Sequence, residues 1–178
     1  AEILINRGYD TKEKAENFLK PGPENLYDPY LMHDMKKGTD RIRTAIVEGQ
    51  KITVYGDYDA DGLTSTSIMY EALTQLGAEC DYYIPNRFDD GYGPNKDVYK
   101  RLIDNGTQLI VTVDNGVAGH EAIEFAKEQG VDVVITDHHE LPQELPDAYA
   151  IIHPKIPNDD GDYPFGGLSG AGVAFKAA

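Results

Sequence analysis

The chain has 178 residues, 40% of them apolar and without a long polar tract, which excludes a disordered tail and leaves enough for one domain with a real core. A net charge of −15 offers no basic surface for gripping nucleic acid: the substrate is no polyanion, or cations and local basic residues offset the acid, or a basic surface lies on further chain. No stretch approaches the apolar length of a membrane span or a signal peptide, and Cys80 alone allows no internal disulfide, so the expectation is a reducing cytoplasm with no membrane partner.

Residues 1–50 read as a helical lead-in. Thr11 caps a helix over Lys12–Leu19 that Pro21-Gly22-Pro23 stops, and a longer helix over Asp34–Glu48 closes at Gly49. In the second, Met35, Ile42, Ala45 and Ile46 form an apolar stripe for core packing. From Lys51 a unit of strand, polar loop and helix repeats through residue 178. Strands are expected at Ile52–Tyr55, Cys80–Ile84, Leu109–Val113, Val131–Thr136 and Tyr149–Ile152. Helices fall between most of them, at Thr64–Leu76, Asp97–Asn105 and Gly119–Gln129, ending in Gly77, Gly106 and Gly130. The nearly continuous β-branched runs suit strands covered on both faces. This pattern predicts an α/β fold: a doubly wound parallel sheet of about five strands.

The densest chemistry follows the first strand, in Lys51–Thr66. Asp57, Asp59 and Asp61 stand at alternate positions, then Gly62, then a helix expected to bury Ile68, Ala72, Leu73 and Leu76. Carboxylates so close repel one another unless a cation holds them, and oxygen donors without thiols suit Mg²⁺ or Mn²⁺. A solvated acidic turn is the alternative. A calcium loop is not, because its twelfth position holds Ile68 where a Glu is needed and the lead-in is a strand.

Every expected strand ends in a polar cluster. After the first come the three aspartates; after the second, Asn86 and Arg87 with Gly91-Tyr92-Gly93; after the third, Asp114-Asn115-Gly116; after the fourth, Asp137-His138-His139; after the fifth, His153-Pro154-Lys155. Ligands bind beyond the carboxyl ends of strands in open parallel sheets. Carboxylates from separate strands with an imidazole suit two divalent ions about 3.5–4 Å apart, bridging a phosphate. Arg87 and His139 are candidates to neutralise charge on the phosphoryl oxygens.

In that order, GDYDADG, NRFDDGYG, VDNG and TDHHE resemble the first four motifs of the DHH phosphoesterase superfamily, and within it the N-terminal catalytic portion of the RecJ-like family of single-strand-specific 5′→3′ DNA exonucleases. ILINRGYDTKEKAENFLKP and YPFGGLSGAGVAFK resemble that family too. The resemblance implies Asp59, Asp61, Asp114 and His138 as ligands of Mn²⁺ or Mg²⁺, two ions in the intact enzyme. It implies Asp57 and Asp137 as acids that ligate or orient, and His139 on the scissile phosphate. Asn86, Arg87, Tyr92, Asn115 and Lys155 are the expected substrate contacts, with a purely structural place in their loops as the alternative for Asn86, Arg87, Tyr92 and Lys155. Single-stranded DNA is the implied substrate, in repair and recombination, with single-strand-binding protein as a partner; oligoribonucleotides, cyclic dinucleotides or a purely structural metal site are the alternatives. Two departures stand out. Tyr55 sits where related pyrophosphatases have a metal-binding His, and His153 stands where many relatives have Asn, either neutral or adding a phosphate contact.

Gly170-x-Gly172 follows no expected strand and reads as a close helix contact, not a dinucleotide loop. Asp159, Asp160 and Asp162 read as a surface turn. The resemblance places a further metal-binding aspartate and a second, DNA-holding domain downstream, so the chain is expected to be a fragment cut within a helix opening near Leu168, one that folds, binds divalent metal more weakly than the intact enzyme and retains little processive exonuclease activity. Asp61→Ala in an intact parent enzyme is expected to abolish activity while leaving the fold nearly unchanged, or slightly more stable without metal by relief of carboxylate repulsion.

Overall fold

A computed structural model describes residues 1–91, 93–158 and 161–178. The N-terminal segment forms α1 (Glu2–Asn6), α2 (Lys12–Leu19), two short 3₁₀ turns (Pro23–Asn25 and Pro29–Leu31) and α3 (Met35–Val47). Then follow β1 (Ile52–Tyr55), α4 (Ala60–Gln75), β2 (Cys80–Tyr83), α5 (Lys96–Asp104), β3 (Leu109–Val113), α6 (His120–Glu128), β4 (Asp132–Thr136), β5 (Ala150–Ile152) and α7 (Gly170–Ala177). Thr11 caps α2 as expected, its hydroxyl accepting from Lys14 N–H at 3.2 Å.

All five strands are parallel, in the order β2-β1-β3-β4-β5. The chain steps from β1 outward to β2, then returns to add β3 on the other side of β1. The order therefore reverses between β1 and β3, where the connecting loops diverge and leave a crevice. Register lines up what borders it. Tyr55 pairs with Thr112, Val113 with Thr136, and Thr136 with Ile152. Two residues beyond Tyr55 and one beyond each of the other strand ends, Asp57, Asp114, Asp137 and His153 fall in one row.

Strand residues alternate between two cores. Val54, Leu109, Val111, Val113, Val134 and Ile152 face α3, α4 and α7. Tyr55, Ile110, Val133, Ile135 and Ile151 face α5 and α6. The α3 stripe packs as predicted: Met35, Ile42 and Ala45 are buried and Ile46 lies against them. The α3 segment is joined to the sheet by polar contacts as well, with Ile151 N–H donating to Asp34 at 3.1 Å and His33 bridging to His153.

Helix α4 departs from expectation. It starts at Ala60, four residues early, because Asp59 caps it by accepting from Gly62 N–H at 2.9 Å. Asp61 and Gly62 thus lie inside its first turn. Its buried face is Gly62, Ser65, Thr66, Met69 and Leu73, while Ile68 is half-buried and Leu76 is exposed. Gly62 must be small, since a Cβ there would come within 2.5 Å of Asp57 Cβ and 2.7 Å of its carbonyl oxygen. Ser65 and Thr66 tolerate burial because each hydroxyl donates 2.7 Å back to a carbonyl of the preceding turn.

Candidate metal centre

The row beyond the strand ends converges on Asp114, which is 1% exposed and lies in the left-handed region at φ 61°. An aspartate there costs strain of roughly 1–3 kcal/mol, and burial of its carboxylate adds to that. Its pKa is pushed up to about 7, by desolvation first and by the Asp61 charge second. Oδ1 accepts no hydrogen bond from any described residue, although His138 Nε2 lies 3.0 Å away. An unpartnered buried carboxylate oxygen facing an imidazole nitrogen is what a shared cation would resolve.

Two groups of donors meet at this residue. Ligand atoms of Asp57, Asp59 and Asp114 lie within 4.8 Å of one another, and so do those of Asp114, His138 and His139. Membership of both groups puts Asp114 where one carboxylate could bridge two ions. The donors are hard oxygens and imidazole, so Mn²⁺ and Mg²⁺ fit. Asp57 is buried, with its pKa raised chiefly by desolvation, and accepts from Tyr58 N–H at 2.6 Å.

Asp137 orients the imidazole pair. Oδ1 accepts from His138 N–H at 2.7 Å and His139 N–H at 3.2 Å and lies 2.7 Å from His139 Nδ1, while Oδ2 accepts from Val117 N–H at 3.0 Å. Burial alone would raise the Asp137 pKa, but these bonds, led by His139, hold it below the usual range. The same Asp137 bond raises His139 toward the cationic form, against the opposing effect of its burial. A cationic imidazolium at this edge suits an anionic ligand.

Asp61 stands differently from its expected role. Its Oδ2 is 3.5 Å from His138 Nε2, yet it belongs to neither donor group. Both oxygens accept from the start of α7, Oδ2 from Gly170 N–H and Oδ1 from Ala171 N–H, each at 2.8 Å. The expectation that Asp61→Ala leaves the metal-free fold intact is therefore reversed. Losing a charged cap on a helix N-terminus costs about 0.5–2 kcal/mol. Denaturant unfolding of the metal-free variant should show a lower midpoint; an unchanged midpoint would mean that repulsion relief cancels the cap.

The remaining predicted contacts are scattered. Arg87 is exposed, its guanidinium 5.6 Å from the Tyr58 ring centroid, which links the loops after β1 and β2. Asn86 is exposed and shapes the turn that follows, with Phe88 N–H donating to Oδ1 at 2.9 Å. Asn115 points inward. It is 2% exposed, and its amide donates to Gly56 O at 2.9 Å and Val113 O at 3.0 Å, tying β3 to β1; Oδ1 has no partner among the described residues. Lys155 pairs with Glu140 at 2.6 Å. Tyr92 lies outside the described residues, as do Asp159 and Asp160 of the acidic turn. Beside His139, a 390 Å³ cleft opens between Gly93-Pro94, the Asn115–Gly119 loop and Glu140.

His153 is the residue whose role the sequence left open. It is fully buried, with Nδ1 accepting from Lys155 N–H at 3.1 Å and Nε2 lying 3.0 Å from His139 O. Because Nδ1 must accept, Nε2 carries the proton and donates to that carbonyl. Desolvation lowers its pKa. It braces the His139 turn from below and makes no phosphate contact from this position.

The Asp114 shift carries a pH dependence. Its folded pKa lies above the unfolded value of 3.8, so between pH 3.8 and about 7 the folded chain holds a proton that the unfolded chain has released. The Asp114 contribution to the stability of the metal-free chain should fall as pH rises through that window and level off above it. Thermal scans from pH 4 to 8 in chelator, comparing the native chain with Asp114→Asn, isolate that contribution; a native midpoint that gains on the variant as pH rises would contradict it.

The family model that describes the DHH family, N-terminal domain, matches residues 51–178. The single-stranded-DNA-specific exonuclease RecJ of Bacillus subtilis is 51% identical over 178 residues, all of this chain and 22% of that protein. The RecJ exonuclease of Escherichia coli is 44% identical over 174 residues, covering 97% of this chain and 29% of that protein. The chain thus spans about a quarter of the length of these relatives. The crystal structure of RecJ in complex with Mn²⁺ from Thermus thermophilus aligns over 98% of this chain and 23% of its own, with a TM-score of 0.75 at 30% identity.

Proposed function

We propose, given that this chain belongs to the DHH family, that it is the catalytic portion of a metal-dependent phosphodiesterase that degrades single-stranded DNA from a 5′ end. The observation that carries the reading is the position of Asp114, shared by two donor groups at the sheet's switch point. Identity to RecJ exonucleases along the whole chain supports single-stranded DNA as the substrate. Repair and recombination, a cytoplasmic setting and single-strand-binding protein as a partner rest on the same resemblance. No helix among the described residues is long and apolar enough to cross a membrane.

Two divalent cations, when bound, would supply an activated water and charge neutralisation for phosphodiester cleavage. Asp57, Asp59, Asp114 and His138 would hold them, with Asp61 adjoining. Asp137 sets the His139 ring so that its cationic form meets the phosphate. His153 fixes the backbone carrying that ring. Arg87 offers a further positive charge from the neighbouring loop. The test is hydrolysis with Mn²⁺ of 5′-labelled single-stranded DNA, short oligoribonucleotides and a cyclic dinucleotide in parallel. DNA should be cleaved fastest; preference for either of the others would move the reading to another branch of the family.

A further inference from the structure

Residues 169–172 do more than make a close helix contact. Ser169 caps α7, accepting from Gly172 N–H at 3.1 Å, and so aims the amides of Gly170 and Ala171 at Asp61. Behind that amide, the Gly170 Cα lies against the other carboxylate. A Cβ at Gly170 would overlap Asp114 Oδ1 and fall within 2.5 Å of its Cγ and 2.6 Å of its Cβ. Asp114 has no room to retreat, being 1% exposed, held at φ 61° and bonded through its N–H to Thr136 O at 3.0 Å.

We propose that Gly170 is a positioning residue of the metal centre. Its N–H orients Asp61, and the absence of a side chain leaves the space that the Asp114 carboxylate fills. One residue on α7 thereby sets the spacing of two acids borne by α4 and by the loop after β3. The role in metal binding rests on the metal-dependent reading above; the steric fit does not.

The test is Gly170→Ala in two backgrounds, the native chain and Asp114→Gly. Asp114→Gly removes the three atoms nearest the new Cβ, and glycine accepts φ 61° without strain. Mn²⁺ titration calorimetry on the native background should show affinity reduced by about 10–100-fold, the scale for disturbing a residue that orients ligands. Thermal unfolding of the metal-free chain supplies the second readout. Gly170→Ala should lower the midpoint in the native background and leave it level or raised in Asp114→Gly, since alanine favours a helix over glycine. Equal losses in both backgrounds, or native Mn²⁺ affinity in Gly170→Ala, would overturn the proposal. Should Gly170→Ala fail to fold alone, a folded double variant supports the proposal and an unfolded one overturns it. Failure of the native chain to bind Mn²⁺ would defeat the metal reading instead, and the unfolding cycle would still report on the Asp114–Gly170 fit.

Discussion

Asp114→Asn should reduce Mn²⁺-dependent hydrolysis by more than roughly 10³-fold, beyond the 10²–10³ range for losing one preorganised stabilising donor. The reason is that Asp114 serves both donor groups, so neutralising it weakens both at once. The fold should gain from the same change. At pH 8 the native carboxylate, with its pKa pushed up to about 7, is ionised in a buried place beside Asp61. Asparagine keeps the shape, tolerates the left-handed backbone and removes the charge. The metal-free variant should therefore unfold at a higher temperature than the native chain at pH 8, with the gap closing toward pH 4. Loss of activity with greater metal-free stability separates a ligand from a structural residue. Native turnover at saturating Mn²⁺ would sink the assignment.

His139→Ala should lower turnover by roughly 10²–10³-fold, as expected for one charge-stabilising donor on the phosphoryl group. The structure leaves a definite rival, because His139 also lies within 4.8 Å of ligand atoms of Asp114 and His138. Nδ1 faces Asp137, whose bond raises the ring's pKa in the metal-free chain and favours a cation suited to a phosphate, while the same bond would leave Nε2 for a metal if His139 were a ligand. The phosphate role makes the sharper forecast. Mn²⁺ affinity should accordingly change little in His139→Ala. A loss of affinity as large as that of His138→Ala would make His139 a ligand.

Much of this was legible in the sequence because strand ends carry their chemistry locally. The strands Ile52–Tyr55 and Leu109–Val113 have the predicted bounds, and the polar clusters after β1, β3 and β4 meet as expected. The face of α4 was misread because apolar spacing marks burial only where the neighbour is apolar. Here Gly62 lies against Asp57 and Thr66 against Gly56 in the turn after β1, so small and polar residues of α4 face inward while Leu76 is exposed. Asn115 and His153 have the residue types of a site, but their bonds run to backbone carbonyls and amides, which residue type does not reveal. The link from Asp61 to Gly170 spans 109 residues, and its one local sign was a capping Ser before a run of small residues.

The central claim is that Asp114 joins two cation sites in one centre. Electron paramagnetic resonance of the chain titrated with Mn²⁺ tests it most directly. Two ions per chain should bind, with a spectrum broadened by coupling between ions about 3.5–4 Å apart, and Asp114→Asn should lose that coupled signal. A single uncoupled Mn²⁺ at saturation, or a coupled pair that survives Asp114→Asn, would contradict it.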